Sequence, residues 1–284
     1  MRREAIGQDL RKEEPVNFET IIYEKKDGVG IIRLNRPERM NAVIEQMYKD
    51  LQSVLVKAGS DNEVKVLVLT GSFLKKGDKI KHAFCAGADL KKHDSGDRTF
   101  AQKKTYIEEA HETTRLMHVF PKPIIAAVNG AARGAGVEMA LCCDFILMAK
   151  EATVAFSETG LGTLVGGGST YHLPRLIGTA RAKELVYTGR VINGSEAADM
   201  GLALNVYPRE ELMNRALEMA NIIAGKAPVS IRLAKERLGQ SFALDLSDVL
   251  RLETDGILSC MKTKDWSEGL RSFAEKRKPD FIGK

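Results

Sequence analysis

Hydrophobic and polar positions in the first part of the chain predict a hairpin followed by a helix. Two short alternating runs, residues 21–26 and 29–36, flank Asp27-Gly28, a dipeptide that favours a hairpin turn. Apolar residues then recur at helical spacing within residues 37–61. The apolar positions of that helix are Val43, Met47, Leu51, Val54 and Leu55.

The middle of the chain alternates between strand and helix. Residues 64–71 are apolar apart from Lys65 and Thr70, as in a strand buried on both faces. A polar stretch over 72–83 predicts a surface loop, or a loop that borders a pocket. The remaining predicted elements are helices over 100–119 and 135–143 and strands over 121–130, 144–149 and 152–156. Strands that alternate with helices predict a layered α/β fold.

After about residue 205 four helical stretches follow with no strand between them. We therefore predict a flexible N-terminal arm over 1–17, a core over 18–207 and a C-terminal helical section over 208–284. Such a section is expected to cover a site or to pack against a neighbouring subunit.

Composition and charge narrow the class of protein. Hydrophobic residues make up 44% and charged residues 29% of the 284 residues, an ordinary globular balance. The net charge of +5 is scattered, without the basic stripe of a nucleic-acid binder. No apolar run reaches membrane-spanning length, and the charged start lacks the apolar core of a secretory signal. The four cysteines form no CxxC pair, and no histidine has metal-ligand spacing, which favours a cytoplasmic protein without a metal.

Residues 129–139, NGAARGAGVEM, combine small residues with a carboxylate. Small residues between a strand and a helix allow a ligand or another backbone to approach closely. A helix that begins near Ala135 presents free N–H groups and the positive end of its dipole. The spacing matches neither a phosphate loop nor GxGxxG. Close helix–sheet packing without any chemistry is the alternative explanation for the glycines.

Glu138 favours a chemical role for this run. It lies one helical turn after Ala135, within an apolar stretch that predicts burial and a raised pKa. The following strand returns the chain to a second glycine-rich loop, which carries Glu158. Two glutamates that face one set of N–H groups are an acid–base site in outline. If the Ala86 N–H, in the segment 84–90, converges with the Ala135 N–H, the two form an oxyanion hole.

Five motifs in order resemble the enoyl-CoA hydratase/isomerase (crotonase) superfamily over residues 18–282. They are PERMNA, AFCAGADL, KPIIAAVNGAARGAGVEMALCCD, FSETGLG and EKRKPDF. The resemblance implies a crotonase-like spiral of ββα units with a C-terminal helical section. It implies an acyl-CoA thioester substrate and a homo-oligomer, either a trimer or a dimer of trimers. Coenzyme A would be part of the substrate, with no separate cofactor.

The resemblance also implies a role for each matching residue. The peptide N–H groups of Ala86 and Ala135 would hold a thioester enolate, Glu158 would act as the principal general acid and base, and Glu138 would position the water. The reaction would be a reversible syn-type addition of water to a 2-enoyl-CoA. Substrate or coenzyme A contacts would come from Met40, Ala42, Ala88, Asp89, Leu90, Gly134, Gly162 and Lys276.

Departures from the family pattern keep other activities open. Ala135 stands where glycine is frequent, Arg133 is a bulky cation beside it, and Ser157 and Thr159 change the surroundings of Glu158. The alternatives are a double-bond isomerase, a ring-forming or ring-cleaving enzyme similar to naphthoyl-CoA synthases, and a non-catalytic acyl-CoA-binding scaffold. The five histidines (His82, His93, His111, His118 and His172) have no partner motif, and His172 is expected to be structural.

Overall fold

The computed structural model describes residues 16–93 and 98–284 of the chain. Its strands are β1 Val16–Asn17, β2 Ile21–Lys26, β3 Val29–Leu34, β4 Val66–Gly71, β5 Phe73–Lys76, β6 Lys79–Cys85, β7 Ile124–Val128, β8 Ala131–Arg133, β9 Phe145–Ala149, β10 Thr153–Ala155, β11 Ile192–Asn193 and β12 Asn205–Tyr207. Its helices are α1 Glu45–Ser60, α2 Leu90–His93, α3 Phe100–His118, α4 Ala135–Leu141, α5 Ser169–Ile177, α6 Thr179–Thr188, α7 Gly194–Met200, α8 Arg209–Ala224, α9 Pro228–Gln240, α10 Leu246–Met261 and α11 Lys264–Ala274.

The first sheet has the strand order β1-β2-β3-β4-β7-β9-β12 and carries the core. The predicted hairpin is confirmed, since β2 and β3 pair antiparallel around Asp27 and Gly28, both of which have positive φ. β3, β4, β7, β9 and β12 then run parallel to one another. β4 is apolar apart from Thr70 and is buried along its whole length, because α1 and α8 supply apolar side chains to the same core.

A second sheet, in the order β11-β10-β8-β6-β5, lies beside the first and leads to the functional loops. The predicted loop over 72–83 is wrong, because β5 and β6 form a hairpin there with the turn at Gly77. Both faces of the hairpin are largely exposed, so no apolar alternation marked it as a strand pair.

The C-terminal part of the chain is helical after β12, as predicted. α8 packs its small residues against the first sheet and so belongs to the core layer, whereas α9, α10 and α11 follow outside it. Helices α5, α6 and α7 were not predicted, because short helices with a wide polar face carry few apolar positions.

The predicted N-terminal arm falls mostly outside the described residues, and its last two residues form β1. Among residues 16–93 and 98–284, no helix combines the length and the apolar character needed to cross a membrane.

Candidate active site

A cavity of about 550 Å³ opens where the end of β6, the start of α4 and the loop after β10 meet. Helices α1 and α3 complete its wall, and most of its surface is apolar. Residues that lie far apart in sequence therefore share one cavity. The predicted site residues that line it are Ala86, Ala88, Leu90, Gly134, Ala135, Glu138 and Glu158.

The small residues of the 129–139 run let α4 begin against the end of β6. A Cβ built on Gly136 would lie 2.3 Å from the Cys85 carbonyl oxygen, so no larger residue fits without movement of the backbone. Gly134 has a φ of 48° and serves as the N-cap of α4. Ala135 is the first helical residue, and its N–H has no acceptor among the described residues. The glycines thus serve close packing, and the packing leaves a free N–H at the cavity.

The prediction of Ala86 as a backbone donor is wrong. Its N–H already donates to the Met40 carbonyl oxygen at 3.0 Å. Two residues further on, Ala88 forms a parallel β-bridge with Val43. In this bridge the Val43 N–H donates to the Gly87 carbonyl oxygen, and the Asp89 N–H donates to the Val43 carbonyl oxygen. Since N–H groups alternate in direction along extended backbone, the Ala88 N–H points away from Val43. Ala88 lines the cavity, and its N–H has no acceptor among the described residues, so Ala88 and Ala135 supply the free donors.

Glu138 is buried in α4, with only 9% of its surface exposed. Its Oε1 accepts a hydrogen bond from the Gly166 N–H at 2.8 Å. The pKa of Glu138 is raised to about 7, chiefly by burial and also by the charge of Glu158, against the opposing effect of the Gly166 hydrogen bond. The sequence-based expectation of a buried glutamate with a raised pKa is confirmed.

Glu158 is equally buried and faces the start of α4. Its Oε1 lies 3.2 Å from the position that a Cβ on Gly134 would occupy. Burial raises the pKa of Glu158, and its Oε2 has no hydrogen-bond partner among the described residues. A buried carboxylate oxygen without a partner in a cavity is available to a water molecule or a substrate.

Comparison with known proteins decides the family. The family model for enoyl-CoA hydratase/isomerase matches residues 24–284. The chain belongs to the enoyl-CoA hydratase/isomerase family. The chain is 36% identical to crotonyl-CoA hydratase from Syntrophomonas wolfei, over 94% of this chain and 99% of that protein. It is 34% identical to short-chain-enoyl-CoA hydratase from Clostridium acetobutylicum, over 93% and 97% of the two chains.

Solved structures confirm the predicted crotonase-like fold. The crystal structure of an enoyl-CoA hydratase from Bacillus anthracis matches with a TM-score of 0.87 and 37% identity, over 94% of this chain and 100% of that chain. The prediction that this chain is an enzyme of the enoyl-CoA hydratase/isomerase family is therefore confirmed.

Other residues suggested by the family resemblance lie outside the lining of the cavity. Met40 and Ala42 do not line it, although the Met40 carbonyl oxygen accepts the hydrogen bond from the Ala86 N–H. Asp89 pairs with Arg36 at 3.1 Å, and both side chains are mostly buried. Gly162 follows the turn that carries Leu161, which does line the cavity. Lys276 lies after α11, so its predicted contact with coenzyme A remains a proposal.

Arg133, unexplained by the family pattern, does not reach the cavity. Its guanidinium donates to the carbonyl oxygen of Thr153 at 2.8 Å and to the hydroxyl of the same residue at 2.9 Å. Arg133 is half-buried and ties β8 to β10, so its side chain is not directed to solvent.

Residues that line the cavity from α1 and α3 were not predicted from the sequence. Tyr48 and Tyr106 lie with ring centres 5.6 Å apart, and burial raises the pKa of each. His111 and Lys103 also line the cavity, and helical spacing alone does not tell which face of α3 turns towards it.

Gly167, with a φ of 54°, crosses the Glu138 side chain so closely that a Cβ there would lie 2.6 Å from Glu138 Cβ.

Replacement of Glu138 by glutamine should change how stability depends on pH. The folded pKa of Glu138 is raised from 4.5 to about 7, so its protonated form stabilises the fold below about pH 4.5, and this stability is lost as the pH rises to about 7. At about 1.4 kcal/mol for each pKa unit, the wild type should lose on the order of 3 kcal/mol relative to Glu138→Gln across this range. Chemical denaturation at a series of pH values measures the difference. A difference that stays constant with pH would show that Glu138 is not held in a raised-pKa environment.

Proposed function

We propose that this protein is an enoyl-CoA hydratase, a hydro-lyase that adds water reversibly and in a syn manner to a 2-enoyl-CoA thioester. The observation that carries the proposal is the pair of buried glutamates, Glu138 and Glu158, in one cavity with two free backbone N–H groups. Relatives named as crotonyl-CoA and short-chain-enoyl-CoA hydratases support the same class of reaction.

The free N–H groups of Ala88 and Ala135 are suited to hold the thioester oxygen. Addition of a hydroxyl group to the β-carbon moves the electron pair of the double bond towards the thioester and creates an enolate. Donors fixed by the backbone need no reorganisation as this charge develops, and α4 adds the positive end of its dipole. Because both donors belong to the backbone, alanine suffices at both positions.

The two glutamates differ in what already binds them. Glu138 is held by the Gly166 N–H, so we assign it to hold and polarise the water molecule. Glu158 retains an unpartnered Oε2, so we assign it as the principal acid and base. Glu158 takes a proton from water as the oxygen attacks the β-carbon, and then gives a proton to the α-carbon as the enolate collapses. The β-carbon thereby gains the hydroxyl group of the water and the α-carbon gains a proton. The reaction needs no metal or redox cofactor.

The rest of the cavity suits an apolar acyl chain. Leu90, Ile107, Leu161, Leu164 and Val165 line it, and several of them are exposed in the single chain. An apolar wall that is open to solvent in the absence of ligand favours a hydrocarbon acyl group over a charged one. Coenzyme A enters as part of the substrate, and Lys276 is proposed to contact it.

We propose a cytoplasmic homo-oligomer, a trimer or a dimer of trimers, assembled through the C-terminal section 208–284. Within this section, α10 exposes the large apolar side chains Leu246, Leu250, Ile257 and Leu258. Exposed apolar side chains on one helix are characteristic of a surface that a further subunit covers.

Incubation with a short 2-enoyl-CoA tests the proposed reaction. The absorbance of the conjugated thioester should fall, and the product formed in ¹⁸O-labelled water should carry one labelled oxygen on its β-carbon. A product of unchanged mass would instead indicate an isomerase. Acyl-CoA binding without turnover across straight-chain, branched and cyclic enoyl-CoAs would contradict the proposal and indicate a binding scaffold.

A further inference from the structure

Three histidines without a role in the proposed reaction meet around a second cavity. His111 and His118 come from α3 and His172 comes from α5. The second cavity has a volume of about 430 Å³ and lies across Gly167 from the active site, since Gly167 and His111 line both. No sequence motif joins these histidines, and the packing of α5 on the preceding helices brings them together.

The rings of this cluster are held in place by mutual contact. The His118 and His172 ring centres are 5.0 Å apart, and Tyr171 packs edge-on against both, at 5.9 Å and 5.0 Å. The Arg175 guanidinium lies 3.6 Å from the centre of the Tyr171 ring. Fixed imidazole N–H groups can therefore be directed at a ligand without much loss of conformational entropy.

The described side chains that line the second cavity include basic groups and no acidic one. Among the described residues, its lining contains histidines and Arg115 but no carboxylate side chain. Arg115 forms an ion pair at 2.7 Å with Glu112, which does not line the cavity. Burial, followed by the charges of His118 and Arg175, lowers the pKa of His172 to about 4. The cluster therefore opposes protonation of His172 until an anion supplies the missing negative charge.

We propose that the second cavity binds a divalent oxyanion, whose biological form is a phosphate group. The imidazoles of His111, His118 and His172 and the hydroxyl of Tyr171 would donate to it. Binding would be coupled to uptake of a proton by His172, so affinity should fall as the pH rises. The titratable and charged groups around His172 are His111, His118 and Arg115 from α3, Cys142 after α4, and Tyr171 and Arg175 from its own helix.

Calorimetric titration of the full-length protein with sulfate at constant ionic strength tests this site. Sulfate keeps its charge between about pH 6 and about pH 8, so any pH dependence belongs to the protein. We expect binding about tenfold tighter at the lower pH, with proton uptake detected by comparing buffers of different ionisation enthalpy. His172→Gln and His118→Gln should each weaken binding about tenfold. His82→Gln, on the β5–β6 hairpin and outside the cluster, is the matched control and should bind like the wild type.

Equal sulfate binding by the wild type and both cluster variants would overturn the proposal, as would the absence of binding at either pH. Titration with inorganic phosphate and with adenosine 3′,5′-bisphosphate separates the two sources of a phosphate group. Tighter binding of the nucleotide that His172→Gln weakens indicates a phosphate carried by a larger ligand in this cavity, and equal binding indicates free phosphate. These measurements need no turnover, so their failure is distinguishable from failure of the proposed hydratase reaction.

Discussion

Replacement of Glu158 by glutamine is expected to lower kcat for hydration by about 100-fold to 10,000-fold. Glutamine keeps the size of the side chain but cannot take a proton from water or return one to the α-carbon. Glu158 is buried at the cavity with an unpartnered Oε2, so no neighbouring group already occupies the oxygen that we assign to this transfer. Initial rates of loss of conjugated-thioester absorbance, with enoyl-CoA at saturation, measure the effect.

A matched control separates this loss from a general effect of removing a carboxylate. Glu253→Gln makes the same chemical change at an exposed position of α10 and should leave kcat unchanged. The thermal unfolding temperature of Glu158→Gln should not fall, because a carboxyl whose pKa is raised by burial is not stabilised in its charged form. A Glu158→Gln enzyme within twofold of the wild-type kcat would refute the assignment of Glu158.

Removal of the Ala88 N–H is expected to lower kcat/KM by about 100-fold to 1,000-fold. Ala88→Pro deletes this donor, and the bridge to Val43 survives because it uses the Gly87 carbonyl and the Asp89 N–H. The lost hydrogen bond acts on the enolate more strongly than on the neutral thioester, so kcat should fall more than KM rises.

Ala88→Gly is the control for the oxyanion donor, because it retains the N–H and removes only a methyl group. It should remain within a few-fold of the wild type. Unfolding temperatures measured for both variants show whether the proline is accommodated in the fold. A folded Ala88→Pro enzyme with nearly normal kcat/KM would contradict the role of Ala88 in holding the thioester oxygen.

Local patterns predicted much of the core correctly. The β2–β3 hairpin, the buried strand β4 and the long helices α1 and α3 follow from alternation, apolar runs and helical spacing. Each of these signals reports how one segment meets the core, so it can be read without knowledge of its neighbours. The β5–β6 hairpin was missed because its two exposed faces carry no such signal.

The two glutamates and the first N–H of α4 were also identifiable in the sequence. Glu138 stands in an apolar helix just after a run of small residues, and that context predicts burial and a raised pKa. The choice between Ala86 and Ala88 could not be made in this way. It depends on which N–H the Met40 carbonyl already binds, and Met40 is distant in sequence.

The sequence by itself therefore determined the layered α/β core, the family and the chemical character of the site. Only the tertiary structure decided which N–H groups are free, that Arg133 ties β8 to β10, and that His118 and His172 share a cavity. The physical reason is that periodicity records burial, which is a property of one segment. A free donor, a buried ion pair or a cluster of rings depends on the direction in which groups from separate segments point, and packing alone sets that direction.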